Sequence, residues 1–270
     1  MILIIVEITV KELKANWLPV WILAKREVLG YWRAKSRVIS SIAQTLIFLV
    51  IFGGGFFSVP IKIQGIQFSS LAFTASGMVG MVILFSGIFG GMGIIRDKLF
   101  GFMRELLIAP ISRRTLMFGK TLGVAIQTLI QALLIVILSI FFGFYGFNFS
   151  LIWRVLLVIP TAILVSIGVV GMGLAIASRL NDFQGFGLIQ TFIVMPMFLL
   201  SGALFPFNIV PMFLQIPMML NPIFYGVDLF RAVLLGASYF PVWIDISVSA
   251  AFGVVLILLG ARFFSKLQMT

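Results

Sequence analysis

The chain has 270 residues, 61% of them apolar and 10% charged, with a mean hydropathy of +1.21. That excludes an ordinary soluble fold, in which about a quarter of positions carry charge. The absence of Cys and His excludes disulfides, thiol chemistry, imidazole catalysis and the commonest zinc sites.

The net charge of +11 does not point to nucleic acid, because the basic residues stand between apolar runs rather than over one face of a domain. Their expected partners are anionic membrane lipids and a cytoplasmic protein. The opening MILIIVEITV is too short and too acid-interrupted for a secretory signal, so the first span is expected to insert uncleaved. Between Trp17 and Ser36, the residues Leu18, Trp21, Ile22, Val28, Leu29 and Trp32 form one helical stripe interrupted by Lys25. This pattern predicts an amphipathic helix in the membrane interface, within an arm covering residues 1–37.

Six apolar runs follow, at 38–57, 68–95, 122–147, 155–178, 186–205 and 242–261, each long enough to cross about 30 Å of hydrocarbon. The second would reach about 42 Å, so it should tilt or project. Seven Lys and Arg in the arm, six between 96 and 120, Arg179 and two in the tail fall on one side, against Lys62, Arg154 and Arg231 on the other. The positive-inside rule then predicts an inner-membrane protein with both termini in the cytoplasm. Small residues recur every four positions at Ala72, Ser76 and Gly80, then at Gly87 and Gly91, and likewise at Ala162 and Ser166, Gly171 and Ala175, Gly173 and Ala177. Such stripes let helices approach closely and suit packing within one bundle better than a dedicated dimer seam. No internal repeat supports the inverted halves of many secondary carriers.

Polar chemistry is sparse. The spans hold almost no charge, and Asp245 and Arg154 are expected to snorkel near the outer interface, which disfavours ion coupling. Gln127, Gln131 and Gln190 are candidates for a substrate path or for interhelical hydrogen bonds. Gly119-Lys120-Thr121 has the end of a P-loop, but Arg114 occupies the place of its first glycine and no buried strand precedes it. The cytoplasmic loop, 96–121, contains an apolar stripe of Leu99, Phe102, Met103, Leu106 and Leu107 with Arg104 and Glu105 on the polar side, ended by Ala109-Pro110. A short helix of this kind suits docking of a motor subunit, or an interfacial anchor. On the outer side, residues 206–241 are broken by Pro206, Pro211, Pro217 and Pro222, which predicts re-entrant helices; Asp228 and Arg231, three apart, are expected to pair there.

At these residues the chain resembles the type-2 ATP-binding-cassette exporter permeases, the group with drug-efflux and polysaccharide-export membrane subunits. The likeness runs through Ala24-Lys25-Arg26-Glu27, Phe52-Gly53, and Arg104-Glu105-Leu106-Leu107-Ile108-Ala109-Pro110-Ile111-Ser112-Arg113 before Gly119-Lys120. It is sharpest in Leu200-Ser201-Gly202, Phe205-Pro206, Pro211, Asn221-Pro222, Tyr225, Asp228 and Arg231. Where the family often has a glycine-threonine pair, this chain has Gly101-Phe102-Met103-Arg104. The resemblance implies an all-α polytopic membrane protein: one domain, residues 1–270, of six transmembrane helices with an amphipathic arm, a coupling helix and outer re-entrant helices. It implies a non-catalytic subunit of a dimer with itself or a paralogous permease. ATP and Mg would sit on a cytoplasmic ATPase that grips Lys25, Arg26, Glu27, Arg104, Glu105, Pro110 and Arg113. The cargo would be a hydrophobic or amphiphilic drug, lipid or glycan. An ATP-independent channel or carrier, and a membrane anchor for a cytoplasmic complex, are the alternatives; a membrane-embedded enzyme is opposed by eight scattered acids.

Overall fold

Lipid offers no partner to backbone N–H and C=O groups, so a chain this apolar must satisfy them within its own segments, and helices dominate. A computed structural model describes residues 17–48, 50–51, 61–102, 108, 111–145 and 150–265. Helices α1 (Trp17–Arg33) and α2 (Lys35–Phe48) come first, followed by an antiparallel hairpin of β1 (Ile61–Ile63) and β2 (Ile66–Phe68). Then come α3 (Ser70–Gly90), α4 (Met92–Leu99), α5 (Arg113–Phe141) and α6 (Ser150–Arg179). Helix α7 (Phe183–Ile189) passes through a π turn at Gln190–Val194 into α8 (Met195–Leu199). After a 3-10 turn (Phe207–Ile209) come α9 (Met212–Leu220), α10 (Pro222–Leu235) and α11 (Val242–Ser265).

Among the described residues, four helical stretches are long and apolar enough to cross a membrane, Ser70–Leu99, Thr115–Phe141, Ile152–Arg179 and Val242–Phe263, with a fifth if the bent pair Met212–Leu220 and Pro222–Leu235 acts as one span. At the centre stands α3, which is buried nearly all round and packs on α5, α6 and α10; a helix without a polar face belongs in such a position. The small-residue stripes lie on these contacts. A Cβ on Gly87 would meet Val169 at 2.7 Å, and one on Gly173 would lie 2.8 Å from the Gly87 carbonyl, so these glycines join α3 to α6 within the chain.

The bundle has two chemically distinct ends. At one, Lys98 Nζ donates to the Ser178 and Leu180 carbonyls, both at 2.9 Å, and Arg179 lies over the Phe263 ring at 4.1 Å. At the other, Arg154 Nη1 donates to the Leu234 carbonyl at 2.6 Å and Asn208 reaches the Lys62 carbonyl. Most described basic side chains sit at the first end, whereas Lys62, Arg154 and Arg231 sit at the hairpin end.

Several boundaries differ from expectation. The hairpin was not anticipated; Ile61-Lys62-Ile63 alternates, and Gln64 and Gly65 turn with φ of 49° and 83°, a conformation suited to a two-residue loop. The run expected at 68–95 starts on the last residue of β2; its two helices, Ser70–Gly90 and Met92–Leu99, meet at Gly91, and the second runs past the expected end to Leu99. The third apolar run was placed at 122–147, but α5 starts at Arg113, where the Ser112 hydroxyl accepts the Thr115 N–H at 3.0 Å, and ends at Phe141. The segment expected at 186–205 is the apolar stretch Phe183–Leu199, about 26 Å long at helical rise. Of the run at 38–57, α2 describes only the beginning; residues 49 and 52–60 lie outside the described residues.

Candidate functional site

On α1, Val20, Leu23, Ala24, Glu27 and Tyr31 recur at helical spacing and face α5. Of the stripe read from the sequence, Leu18, Trp21, Ile22, Leu29 and Trp32 remain exposed and Val28 is half-buried. Helix α1 is thus two-faced: one side packs on protein, the other stays open. Contact with α5 is close because Gly119 and Gly123 leave room. A Cβ on Gly123 would stand 2.7 Å from the Glu27 Cβ and 2.9 Å from the Ala24 carbonyl oxygen.

That approach buries an ionic cluster. Lys120, from the second turn of α5, has a side chain only 3% exposed; its Nζ donates to Glu27 Oε1 at 3.0 Å and to Asp97 Oδ2 of α4. Arg26 Nη2 lies 3.7 Å from Asp97 Oδ1, and its guanidinium is 5.8 Å from the Phe102 ring centre. One ammonium therefore ties α1, α4 and α5 together, and the Gly119-Lys120-Thr121 run is a packing and ion-pairing device. Neither Asp97 nor Lys120 stood out as a site residue in the sequence. The available signal was an isolated lysine among small and apolar residues, which a membrane helix tolerates only beside an acid.

Above this cluster, α1 and α3 each pack on α5 and scarcely touch one another, leaving a cleft of about 810 Å³. Met81, Val82, Phe85 and Phe89 make its apolar wall; Ser86, Gln127 and Gln131 are its polar groups along the helices; Lys25, Arg26 and Arg96 line it near the ion cluster, and Arg33 lines it two residues past Tyr31. A hydrogen-bonded chain crosses it: Gln131 Nε2 donates to the Tyr31 hydroxyl at 2.6 Å, and the Ser86 hydroxyl donates to Gln131 Oε1. Of the three glutamines singled out in the sequence, the cleft unites Gln127 and Gln131. Gln190 begins the π turn and is not one of its walls. Arg113 is the exposed first residue of α5, whereas Arg104, Glu105 and Pro110 lie outside the described residues.

At the hairpin end, the residues of the proline-broken segment hold the chain's own turns. Asn221 Oδ1 accepts the Ile223 N–H at 3.1 Å while its Nδ2 donates to the Met197 carbonyl at 2.6 Å. With Pro222 opening α10, this fixes a bend of 90° between α9 and α10. The Ser201 hydroxyl donates to the Phe198 carbonyl at 2.6 Å and accepts the Ala203 N–H at 3.2 Å. Gly202 turns with φ of 71°, and its carbonyl accepts from Arg231 Nη2. Pro206, in extended backbone, leads into the 3-10 turn, and the Tyr225 hydroxyl donates to the Met219 carbonyl at 2.8 Å. The expected Asp228–Arg231 ion pair is not formed. Both Asp228 oxygens are taken by backbone N–H groups, Tyr239 at 3.0 and 2.8 Å and Phe240 at 2.9 Å, while Arg231 lies 3.9 Å from the Phe73 ring centre. Asp245 does not snorkel: it is fully buried, and neither oxygen has a partner among the described residues.

Residues 19–235 match the family model described as ABC-2 type transporter. The chain belongs to this family. Its relatives include ycf38 of Porphyra purpurea, named as a transport permease, 30% identical over 78% of this chain and 72% of that protein. Nodulation protein J of Rhizobium leguminosarum bv. viciae is 23% identical over 94% and 95%. The inner membrane transport permease YadH of Escherichia coli (strain K12) is 27% identical over 72% of each. The ABC-2 chain is accordingly a non-catalytic membrane permease, of a family that generally works with an ATP-binding partner.

Proposed function

We propose that this ABC-2 permease is the transmembrane subunit of an exporter that moves a hydrophobic or amphiphilic substrate out of the cytoplasm, with ATP and Mg held by a separate subunit. The observation that carries the reading is the cleft between α1, α3 and α5. It is apolar along the helices and basic at the end that the positive-inside rule predicts to be cytoplasmic, and it lies beside the ion cluster joining α1 to the span helices. The ATPase grips the exposed basic face of α1 around Lys25 and Arg26 and the loop carrying Arg104, Glu105 and Pro110 up to Arg113. Two permeases, identical or paralogous, form the pathway, and rigid-body movement of helices alternates its access. Glu27 serves indirectly, by fixing α1 to Lys120.

The test is reconstitution in liposomes of the complex isolated from its source membrane. The chain alone should hydrolyse no ATP, the complex should hydrolyse it with cargo stimulation, and charge reversal at Arg104 or Glu105 should lower transport without loss of the folded bundle. Undiminished transport by the reversed protein removes the loop from the mechanism, and transport by the chain without any hydrolase overturns the exporter reading.

A further inference from the structure

We infer that the cleft is a binding site for an amphiphile with an anionic headgroup, held by Arg33, Arg96 and Lys25 with its tail along Met81, Val82 and Phe85. This deepens the exporter reading and depends on it for the fate of the ligand, not for the binding itself.

The argument begins with charge. Six charged residues line the cleft, and the two acids are already used: Glu27 and Asp97 are held by Lys120 from beneath, with Arg26 beside Asp97 at 3.7 Å. Two carboxylates against Lys120 and Arg26 make that cluster neutral. Lys25, Arg33 and Arg96 remain, with no acidic partner among the described residues, on two helices that border one cavity. Were the three cations simply solvated at a membrane surface, no continuous apolar wall need lead away from them. Here one does: from Arg96 to Val82 the α3 and α4 axis covers about 20 Å at 1.5 Å per residue, long enough for an alkyl tail. Two guanidinium groups supply forked donors that match a phosphate or carboxylate, whereas a neutral or cationic headgroup would leave them unneutralised. Gln127, Gln131 and Ser86 then provide hydrogen-bonding groups between head and tail, suited to a polar linkage.

The experiment uses the purified full chain in neutral maltoside detergent, with bound lipid read by native mass spectrometry. Phosphatidylglycerol is compared with phosphatidylcholine of the same acyl chains. Half-occupancy by the anionic lipid is expected at about tenfold lower concentration, the scale of a few charge-assisted contacts at a half-open site. The double variant Arg33→Gln/Arg96→Gln, both exposed positions, should bring the two lipids to within about threefold, since one cation remains. Lys62→Gln, at the opposite end of the bundle, should leave the preference intact. Dodecyl phosphate should displace bound phosphatidylglycerol and dodecyltrimethylammonium should not. Equal binding of the two lipids by the native chain, equal displacement by the two surfactants, or full preference in a folded double variant overturns the inference.

If the ATP-driven complex moves phosphatidylglycerol between leaflets, the bilayer lipid is cargo; if it does not, that lipid is a resident ligand standing where another anionic amphiphile binds. Both results keep the binding chemistry. Loss of ATP-driven export with the anionic preference intact would refute the exporter reading alone.

Discussion

Replacing Lys120 with Met removes an ammonium that two acids share while nearly conserving side-chain length. Asp97, 5% exposed at its side chain, and Glu27, 16% exposed, would then face each other with no ammonium between them. Breaking a buried ion pair by deleting one partner costs about 3–5 kcal/mol, because the remaining charge stays desolvated. Arg26, 3.7 Å from Asp97 but 44% exposed, can recover part of that. The low end, about 3 kcal/mol, is therefore expected, a fall of about 6–12 °C in melting temperature for a chain of this size. Thermal unfolding in one detergent, followed by circular dichroism, is the assay. Asp97→Asn alone should cost less than Lys120→Met, since Lys120 keeps Glu27. The double variant Lys120→Met/Asp97→Asn should recover part of the loss, because one stranded charge has gone. A Lys120→Met shift of less than about 2 °C would refute the reasoning, since an ammonium contributing under about 1 kcal/mol cannot be what joins the three helices.

Two further expectations follow from contact geometry. Gly123→Val should cost about 2 kcal/mol or more and expose α1 to protease, because the clash is with the Glu27 Cβ and the Ala24 backbone carbonyl, neither of which a rotamer change can move; unchanged proteolysis would separate α1 from α5 in solution. Asp228→Ala should lower stability by about 2–4 kcal/mol by leaving the Tyr239 and Phe240 N–H groups without an acceptor, and Asn should retain part of it; equal losses in Ala and Asn, measured by thermal unfolding, would assign the effect to charge and not to hydrogen bonding.

The helical, membrane-embedded class was legible because twenty-residue apolar runs have few other physical outcomes, and the broken segment because Asn221-Pro222 combines a cap with a residue unable to continue a helix. Helix ends were not. Charge drew the boundary between loop and span at 121, yet Arg113 through Lys120 are the first turns of the span helix α5, since Lys120 meets its counter-ions in a different part of the sequence. The same limit hid the packing face of α1. Hydrophobicity picks out the Leu18, Trp21 and Leu29 side, but the protein-facing side uses Ala24 and Glu27, chosen by the small residues of α5 opposite. Asp228 and Arg231 show the converse error: a permitted i, i+3 pairing yields to backbone N–H groups that only the fold brings near.

The contacts around the cleft are unevenly distributed. Helix α1 meets α5 through two glycine contacts, the Lys120–Glu27 pair at 3.0 Å and the Tyr31–Gln131 hydrogen bond at 2.6 Å. Toward α3 and α4 it has little direct packing beyond Arg26 and Asp97, a pair at 3.7 Å with its arginine half in water, worth about 1 kcal/mol or less. Separating α1 from α5 would expose Lys120 and strand Glu27, and moving α1 and α5 together away from α3 would break the α3–α5 packing, the Ser86–Gln131 hydrogen bond and the Lys120–Asp97 pair. The seam with least to lose is the direct one between α1 and the α3–α4 pair, where the cleft lies. Because Lys120 takes part in both seams, a pull on α1 reaches Asp97 through Lys120 as well as through the weaker Arg26 contact. The residue that looked like a broken nucleotide motif is thus the one best placed to link the exposed arm to the mouth of the cleft.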